Sequence, residues 1–168
     1  MKNVHILDPF SGTGTFISRL IQSDLIEKKN LLYKYKNELH ANEIVLLAYY
    51  IANINIETAF QSIMTSNSYQ SFDGMVLTDT FQLYEQDRDM IADLLPDNSN
   101  RRTKQKKSNI RIIMGNPPYS IGQNRENENA ANISYPNLDF KIEKEYSDNS
   151  NARLKKGLYD NYIRAFRW

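Results

Sequence analysis

Apolar residues recur along this chain in two patterns, as short continuous runs and as longer segments with helical spacing. Continuous runs are typical of buried strands, whereas recurrence every three or four residues is typical of helices. The short runs predict strands at Val4–Leu7, Gly74–Thr78 and Ile110–Gly115, and we interpret Asn37–Glu43, which is more polar and ends in an acid, as a further short strand. Helical spacing is found at residues 16–25, 44–54 and 154–168. This alternation of strands and helices predicts an α/β protein with an open parallel sheet.

Three segments carry further expectations. Residues 44–54 are apolar on nearly every side, so we expect this helix to be largely buried against the sheet. Residues 85–107 start with a short helical pattern and continue as a predicted loop, which carries the one basic cluster of Arg101, Arg102, Lys104, Lys106 and Lys107. Such a cluster is usually a solvated surface, and the alternative is contact with phosphate. Residues 120–151 are polar and rich in Asn, which predicts another loop.

Composition excludes several kinds of chemistry. The chain has 168 residues, enough for one domain with a sizeable core, and a formal net charge of +1. That charge indicates no general attraction for nucleic acid, although a local basic patch would suffice. The absence of Cys excludes disulfides, thiolate zinc sites and a Cys nucleophile. We expect no metal site. We also expect a cytoplasmic protein without a membrane segment, because no apolar run reaches transmembrane length and no leader pattern opens the sequence.

The last predicted strand runs directly into Asn116-Pro117-Pro118-Tyr119. Pro can neither continue a helix nor donate to a central ladder, so the strand must end here in a stiff turn. The turn presents an amide side chain, an aromatic ring and backbone carbonyls. It suits a planar group that carries an amino function, because the ring can stack and the carbonyls can accept from NH2. The simpler interpretation is a proline turn with a half-buried Tyr.

A second informative turn, Asp8-Pro9-Phe10-Ser11-Gly12-Thr13-Gly14-Thr15, joins the first strand to the helical pattern at Phe16. Gly12 and Gly14 let the backbone pass close to a ligand, and the helix start supplies N–H groups that favour a carboxylate or phosphate. The dinucleotide fingerprint is incomplete because position 17 is Ile, and the P-loop sequence is absent. A tight turn without a ligand is the alternative.

The second and third predicted strands, counted along the chain, also lead to acidic residues. Glu43 lies at the predicted junction of strand and helix, where an acid can bridge ribose hydroxyls, and we prefer it to Glu38 for that role. The alternative for Glu43 is an electrostatic cap of the helix start. Asp79 follows the third strand and could accept from an exocyclic amine, with Phe81 along the ring face. Taken alone, a turn Asp beside a core Phe is the simpler interpretation.

Taken together and in order, these motifs resemble those of the gamma-type adenine-N6 DNA methyltransferases. The stretches L-D-P-F-S-G-T-G-T-F, A-N-E-I, T-D-T-F and G-N-P-P-Y-S are similar to the methyltransferase portion of large single-chain restriction–modification enzymes, which also carry helicase and nuclease domains. All four features fall at the carboxyl ends of predicted strands, where ligands bind in open α/β sheets.

The resemblance implies a Rossmann-like methyltransferase sheet of about four parallel strands in the order 3-2-1-4, with S-adenosylmethionine as cofactor and DNA as partner. It implies cofactor contacts from Asp8, Pro9, Phe10, Ser11, Gly12, Thr13, Gly14, Phe16, Glu43, Ile44, Asp79, Thr80, Phe81 and Asn116. The catalytic residues would be Asn116, Pro117, Pro118 and Tyr119, acting on an adenine flipped out of the duplex. The lack of Cys agrees with this, because cytosine C5 methylation proceeds through a covalent Cys adduct.

The chain also departs from this family. A family sheet has more strands than those predicted here, the cofactor motif that precedes the glycine turn has no room before Val4, and no target-recognition, helicase or nuclease motif is present. We therefore expect one truncated catalytic domain over residues 1–168, with a cofactor-binding half (1–115), a catalytic turn (116–119), a polar loop (120–151) and a terminal helix (152–168). Its fourth strand would be an open edge that can self-associate.

Two alternatives remain open for the function. The first is a methyltransferase that acts on a protein glutamine amide or an RNA base, since both present a planar NH2 group. The second is an inactive fragment that only binds cofactor or DNA.

Overall fold

The computed structural model describes residues 3–64, 68–85, 95–118, 135–151 and 155–168. Its strands are β1 (His5–Asp8), β2 (Leu39–Glu43), β3 (Met75–Leu77) and β4 (Ile110–Ile113). Its α-helices are α1 (Thr15–Gln22), α2 (Lys28–Asn37), α3 (Leu46–Met64), α4 (Pro96–Lys107), α5 (Pro136–Ile142) and α6 (Asn161–Arg167). Shorter helical segments span Phe81–Tyr84, Glu143–Ser147 and Lys156–Tyr159.

The four strands form one parallel sheet in the order β3-β2-β1-β4, which confirms the predicted Rossmann-like α/β fold. Each strand returns to the sheet through a helical connection, as parallel pairing requires. The pairing of β1 with β4 shifts register between His5 and Ile6, because Ile110 and Ile112 are their partners and Arg111 is the extra residue. Such a bulge bends the strand locally.

Two compact units divide the chain, and each is described by itself. The first holds the sheet with α1 to α4 and extends, among the described residues, to Thr80 and from 95 to Asn116. The second comprises the described residues 81–85, 117–118, 135–151 and 155–168. Among all described residues, no helix combines the length and apolar character needed to cross a membrane.

The core of the first unit lies between the sheet and helices α1, α2 and α3. Tyr35 of α2 is fully buried and stacks on Phe60 of α3 with ring centroids 3.8 Å apart. The other buried members of this core are Ile6, Ile17, Ile21, Ile26, Leu31, Leu39, Ala41, Ala52, Ile56, Ala59, Phe72 and Met75. Burial of such side chains contributes on the order of 1.5–3 kcal/mol each for the larger ones.

A buried ion pair holds the end of the sheet opposite the candidate site. Lys34 of α2 lies 2.5 Å from the Glu38 carboxylate, and their side chains are only 8% and 1% exposed. Lys34 also donates to the Val4 carbonyl at 2.9 Å, and Glu38 accepts from the Asn3 N–H. These bonds attach the start of β1 to α2 and supply the partners that buried charges require.

The second unit is organised around α5. Glu85 accepts from the backbone N–H groups of Asn137 and Leu138, each at 2.9 Å, and thereby satisfies two free donors of the first helical turn. Arg164 of α6 forms a bidentate ion pair with Asp139, with both N–O distances at 2.8 Å. These bonds join three separate segments of the unit.

Several sequence predictions of secondary structure are wrong. The basic cluster lies on α4 and not in a loop. The segment 28–37, for which no helix was predicted, forms α2. The predicted loop 120–151 contains α5 and a π-helical segment in its described part, so the prediction is wrong for residues 136–147.

The expected burial of the helix at 44–54 is also wrong. Its inner side packs on α1 and the sheet, but a row of apolar side chains on its outer side is exposed: Leu46, Leu47, Tyr50, Ile51 and Ile54. Helical spacing alone could not show this, because the residues are apolar on both sides.

Candidate active site

The parallel sheet brings the candidate residues to one edge. Asp8 ends β1 and Glu43 ends β2, while Asp79 and Asn116 follow β3 and β4 by two and three residues. The carboxyl ends of parallel strands lie on the same side of a sheet, so all four positions belong to that side. The order of strands places Asp8 in the middle, between the neighbours that carry Glu43 and Asn116.

The glycine turn after β1 is held tightly against β2. Gly12 has a φ of +54° and donates its N–H to Oε2 of Glu43 at 2.8 Å. Ser11 donates its N–H to the Asn42 carbonyl at 2.9 Å. Gly14, with a φ of +80°, lies so close to α3 that a Cβ would be 3.1 Å from the backbone of Ala52. Only Gly fits position 14 without strain, for both reasons.

Asp8 is fully buried, and its two carboxylate oxygens differ in their surroundings. Oδ1 accepts from the Phe10 N–H at 3.2 Å, whereas Oδ2 has no hydrogen-bond partner among the residues that the structure describes. Burial raises the pKa of Asp8 to about 6; the Phe10 N–H opposes this rise and the nearby Glu43 carboxylate adds to it. A buried carboxylate oxygen without a donor is costly, and a cationic or N–H donor in a ligand would remove that cost.

Glu43 links the glycine turn to the start of the segment before α3. Its Oε1 accepts from the Val45 N–H at 2.7 Å, while Oε2 accepts from Gly12. The side chain is half-buried, and a carboxylate oxygen can accept a second hydrogen bond, so both oxygens retain capacity for a ligand. Glu38, the other acid considered, lies before β2 and is occupied by the ion pair with Lys34. The neighbouring Ile44 is 57% exposed.

Thr80 connects the end of β3 to the glycine turn. Its hydroxyl donates to the Pro9 carbonyl at 2.5 Å, and its oxygen accepts from Nδ2 of Asn42 at 3.2 Å. Asp79 beside it is half-buried. Phe81 belongs to the second unit, where it is buried with its ring edge against Tyr135, so its predicted contact with a cofactor stays a prediction.

The turn after β4 approaches β1 closely. Met114 donates its N–H to the Leu7 carbonyl at 3.0 Å, which extends the pairing of the two strands beyond Ile113. A Cβ on Gly115 would lie 2.9 Å from Oδ1 of Asp8, so Gly115 rests against the Asp8 carboxylate. Asn116, the next residue, is exposed.

The remaining candidate residues are placed less tightly. Pro117 is half-buried and Pro118 is exposed, while Tyr119 lies outside the described residues. Phe16, in the first turn of α1, is 42% exposed, and the Thr13 carbonyl accepts from Asn55 of α3 at 2.9 Å. Their predicted roles remain predictions.

Sequence reasoning missed three residues that shape this site: Asn42, Gln105 and Gly115. Asn42 and Gln105 are buried polar residues within hydrogen-bond distance of one another. Asn42 lies within the stretch A-N-E-I, but no role was predicted for it, and its position in that stretch was the available signal. Nothing in the sequence around Gln105, which lies within the basic cluster, indicated that it is buried.

The basic cluster divides into two parts on α4. Arg102 is buried, and Arg101 donates to the Tyr49 hydroxyl at 2.9 Å, so these two side chains are partly taken up inside the first unit. Lys104 and Lys107 are exposed. The cluster is therefore not uniformly solvated, because Lys104 and Lys107 are exposed whereas Arg102 is buried.

Comparison with known proteins shows which proteins share this fold and sequence. No family model matches the chain, and no curated protein matches it. Solved structures do match, and two of them are restriction–modification enzymes of Type ISP.

The first is a nuclease-deletion mutant of the Type ISP restriction–modification enzyme LlaGI in complex with a DNA substrate mimic, with 45% identity and a TM-score of 0.90 over 99% of this chain. The second is the ATP-dependent Type ISP enzyme LlaBIII bound to DNA, with 44% identity and a TM-score of 0.90 over 99% of this chain. A DrdV–DNA complex has 40% identity and a TM-score of 0.86 over the whole chain. The chain spans only 14%, 12% and 16% of these three proteins.

Proposed function

We propose that this chain carries the cofactor-binding and catalytic residues of an adenine-N6 DNA methyltransferase that acts in a restriction–modification system. The similarity to LlaGI, LlaBIII and DrdV supports the restriction–modification setting, and all three were solved with DNA. The ordered motifs at the strand ends support methyl transfer to an amino group. The observation that carries the proposal is the buried Asp8 carboxylate, whose Oδ2 lacks a donor at the centre of the candidate site.

The residues at the sheet edge fit S-adenosylmethionine. The cofactor carries an ammonium group, and Oδ2 of Asp8 is a buried acceptor that needs such a donor. Glu43 would accept from the ribose hydroxyls with the lone pairs that Gly12 and Val45 leave free. Asp79 and Phe81 would hold the adenine, and the turn at Gly12 and Gly14 would allow close approach of the cofactor. When bound, the cofactor supplies an electrophilic methyl group on a sulfonium centre.

The chemistry left to the protein is activation and alignment of a poor nucleophile. The lone pair of an aryl amine is delocalised into the ring, which keeps the nitrogen planar. Acceptors at Oδ1 of Asn116 and at the Pro117 carbonyl would bind both amine hydrogens and favour a more tetrahedral nitrogen. Tyr119 would stack on the flipped base, and the exposed position of Asn116 leaves it accessible to such a substrate.

DNA is the substrate that the comparisons favour over a protein amide or RNA. The most direct test of the cofactor site is calorimetric titration of the chain with S-adenosylmethionine, using Asp79→Ala as the site variant. Asp73→Ala is a matched control, since Asp73 is an exposed acid that precedes β3 at the other end of that strand. Binding that Asp79→Ala abolishes and Asp73→Ala retains is the expected result. Equal affinity of all three proteins contradicts the cofactor site.

A second assay tests the catalytic turn. Radiolabelled methyl transfer to DNA should be compared between the wild-type chain and Asn116→Ala. Loss of the Asn116 acceptor should lower the rate by about 10²–10³-fold, as the loss of one preorganised hydrogen-bonding group does at other sites. A rate for Asn116→Ala near that of the wild type would exclude this role of Asn116.

A further inference from the structure

Three buried polar side chains form a continuous hydrogen-bonded path from α4 to the glycine turn. Nε2 of Gln105 donates to Oδ1 of Asn42 at 2.8 Å, and Nδ2 of Asn42 donates to the Thr80 hydroxyl at 3.2 Å. Thr80 in turn donates to the Pro9 carbonyl at 2.5 Å. Gln105, Asn42 and Thr80 are at most 4% exposed. We call Gln105, Asn42, Thr80 and the Pro9 carbonyl the amide relay.

The direction of every bond in the amide relay follows from its last member. The Pro9 carbonyl can only accept, so the single hydroxyl proton of Thr80 must point to it. The Thr80 oxygen can then only accept from Asn42, which turns the amide nitrogen of Asn42 toward Thr80. The amide oxygen of Asn42 therefore faces Gln105, and Gln105 must donate. A side chain at position 105 that presents an acceptor to Asn42 in place of the donor would reverse these bonds and remove the bond to the Pro9 carbonyl.

Asn42 also contacts the glycine turn through its backbone. Its carbonyl accepts from the Ser11 N–H at 2.9 Å, and the next residue, Glu43, accepts from Gly12. The side chain and backbone of one residue thus connect three strand ends, those of β1, β2 and β3. Buried networks of this kind are rigid when every group is satisfied.

We infer that Asn42 and Gln105 are positioning residues, which hold the turn at Pro9–Gly12 and the β3 end at Thr80 in the arrangement that receives the cofactor. This inference rests on the proposed binding of S-adenosylmethionine. Asn42 lies within the A-N-E-I stretch but was assigned no role from it, Gln105 lies outside the motifs, and Gln105 acts only through Asn42. The amide relay fixes the distance between the glycine turn and the Asp79–Thr80 end, which must contact opposite parts of one ligand.

Gln105→Glu is the sharpest test, because it replaces one NH2 group by oxygen and leaves the shape of the side chain unchanged. A carboxylate at 105 presents only acceptors to the amide oxygen of Asn42. The Asn42 amide must then turn, Thr80 donates to it instead, and the Pro9 carbonyl loses its bond. Gln105→Met adds no charge and serves as the second variant if buried charge prevents folding: it leaves the Asn42 oxygen without its donor and so loosens Asn42, but it does not force the amide to turn.

Tyr35→Phe is the matched control. It removes one hydroxyl bond of a buried side chain, from Tyr35 to the Gln70 carbonyl at 3.0 Å, and Tyr35 contacts no member of the amide relay among the bonds described here. Two quantities should be measured on the full chain of each variant. The first is hydrogen exchange of the Ser11 and Gly12 amides in the free protein, and the second is the Kd for S-adenosylmethionine.

Both Gln105 variants should accelerate exchange at Ser11 and Gly12 by roughly tenfold relative to Tyr35→Phe, and raise Kd by about tenfold, as expected for one lost buried hydrogen bond. Exchange at these amides that matches Tyr35→Phe overturns the inference. Faster exchange with unchanged Kd also overturns it, because the amide relay would then not serve the cofactor. If the wild-type chain fails to bind, the proposed function fails, and the exchange result still shows whether the amide relay holds the turn.

Discussion

Gly115 lies against Asp8 so closely that a Cβ on Gly115 would be 2.9 Å from Oδ1 of Asp8. The same Cβ would be 3.3 Å from the Pro9 ring. The residue before the proposed catalytic Asn116 and the buried acid of the proposed cofactor site are therefore in direct contact. The two parts of the candidate site, which are far apart in the sequence, are joined at this point by the pairing of β1 with β4.

Gly115→Ala should therefore disturb the site. The added methyl group must displace the Asp8 carboxylate or the β4 end, and such overpacking costs about 1–3 kcal/mol. We expect a lower free energy of unfolding, measured by urea denaturation, together with weaker binding of S-adenosylmethionine.

Gly157→Ala is the control for that substitution. A Cβ on Gly157 meets no atom within 4 Å, so its free energy of unfolding should change little. If Gly115→Ala is as stable as Gly157→Ala and binds cofactor with wild-type affinity, the close packing of Gly115 on Asp8 has no consequence.

Asp8 should make the stability of the protein depend on pH in an unusual direction. The pKa of Asp8 is raised by burial from 3.8 to about 6, so the folded state binds this proton more tightly than the unfolded state does. The contribution of Asp8 to the free energy of unfolding should fall as pH rises from about 4 to about 6, by about 3 kcal/mol, and stay level above that. The difference in free energy of unfolding between wild type and Asp8→Asn, measured by chemical denaturation at several pH values, should show this fall.

The same titration should appear in cofactor binding with the opposite sign. A protonated Asp8 cannot attract an ammonium group, so the affinity of the wild type for S-adenosylmethionine should decrease below pH 6. Asp8→Asn should bind weakly at every pH. An affinity that is independent of pH between 5 and 8 would argue against direct contact between Asp8 and the cofactor.

Glu38 should be more important for stability than for the site. Glu38→Gln leaves Lys34 charged and buried without its counterion, and breaking a buried pair in this way costs about 3–5 kcal/mol. The loss should be measured as the change in free energy of unfolding. The double variant Lys34→Met, Glu38→Leu should recover most of that stability, because it removes both charges. A single variant as stable as wild type would show that the pair is not buried in solution.

The strand ends of the site were predictable because their chemistry is local. A short run of apolar residues followed by Pro, Gly or an acid indicates a strand end, and β1, β3 and β4 follow that pattern, whereas β2 is more polar and was recognised by its final acid, Glu43. Parallel pairing then brings the ends together without further information from the sequence. The role of Gly115 could not be predicted in this way. Position 115 must lack a side chain because a Cβ there would collide with Asp8, and that contact is visible only in the structure.

Helix α4 shows why other parts could not be predicted. Its buried residues are Asn98, Arg102 and Gln105, which have helical spacing but are all polar. Hydrophobic periodicity cannot find such a helix, because its inner face bonds to the sheet instead of burying apolar surface. Asn98, for example, donates to the Leu77 carbonyl and accepts from the Leu77 N–H, so it covers part of the edge of β3.

His40 should make the protein sensitive to acid. It is buried in β2, and its Nε2 lies 2.9 Å from Nδ1 of His5, so one proton is shared between the two rings. Burial lowers the pKa of His40 from 6.5 to about 4; His5 and Lys104 add to this effect and Glu38 opposes it. The neutral form is favoured by folding, so the contribution of His40 to the free energy of unfolding should be lost as pH falls from about 6.5 to about 4, by about 3 kcal/mol.

His40→Gln tests this effect because an amide can bond to His5 and does not titrate in this range. The difference in free energy of unfolding between wild type and His40→Gln should change between pH 7 and pH 4.5, whereas the contribution of Asp8 is common to both proteins and cancels. Arg111, which is exposed on the bulged strand β4, offers a control, since Arg111→Gln should leave the dependence on pH unaltered. A difference between wild type and His40→Gln that is constant over this range would mean that folding does not lower the pKa of His40.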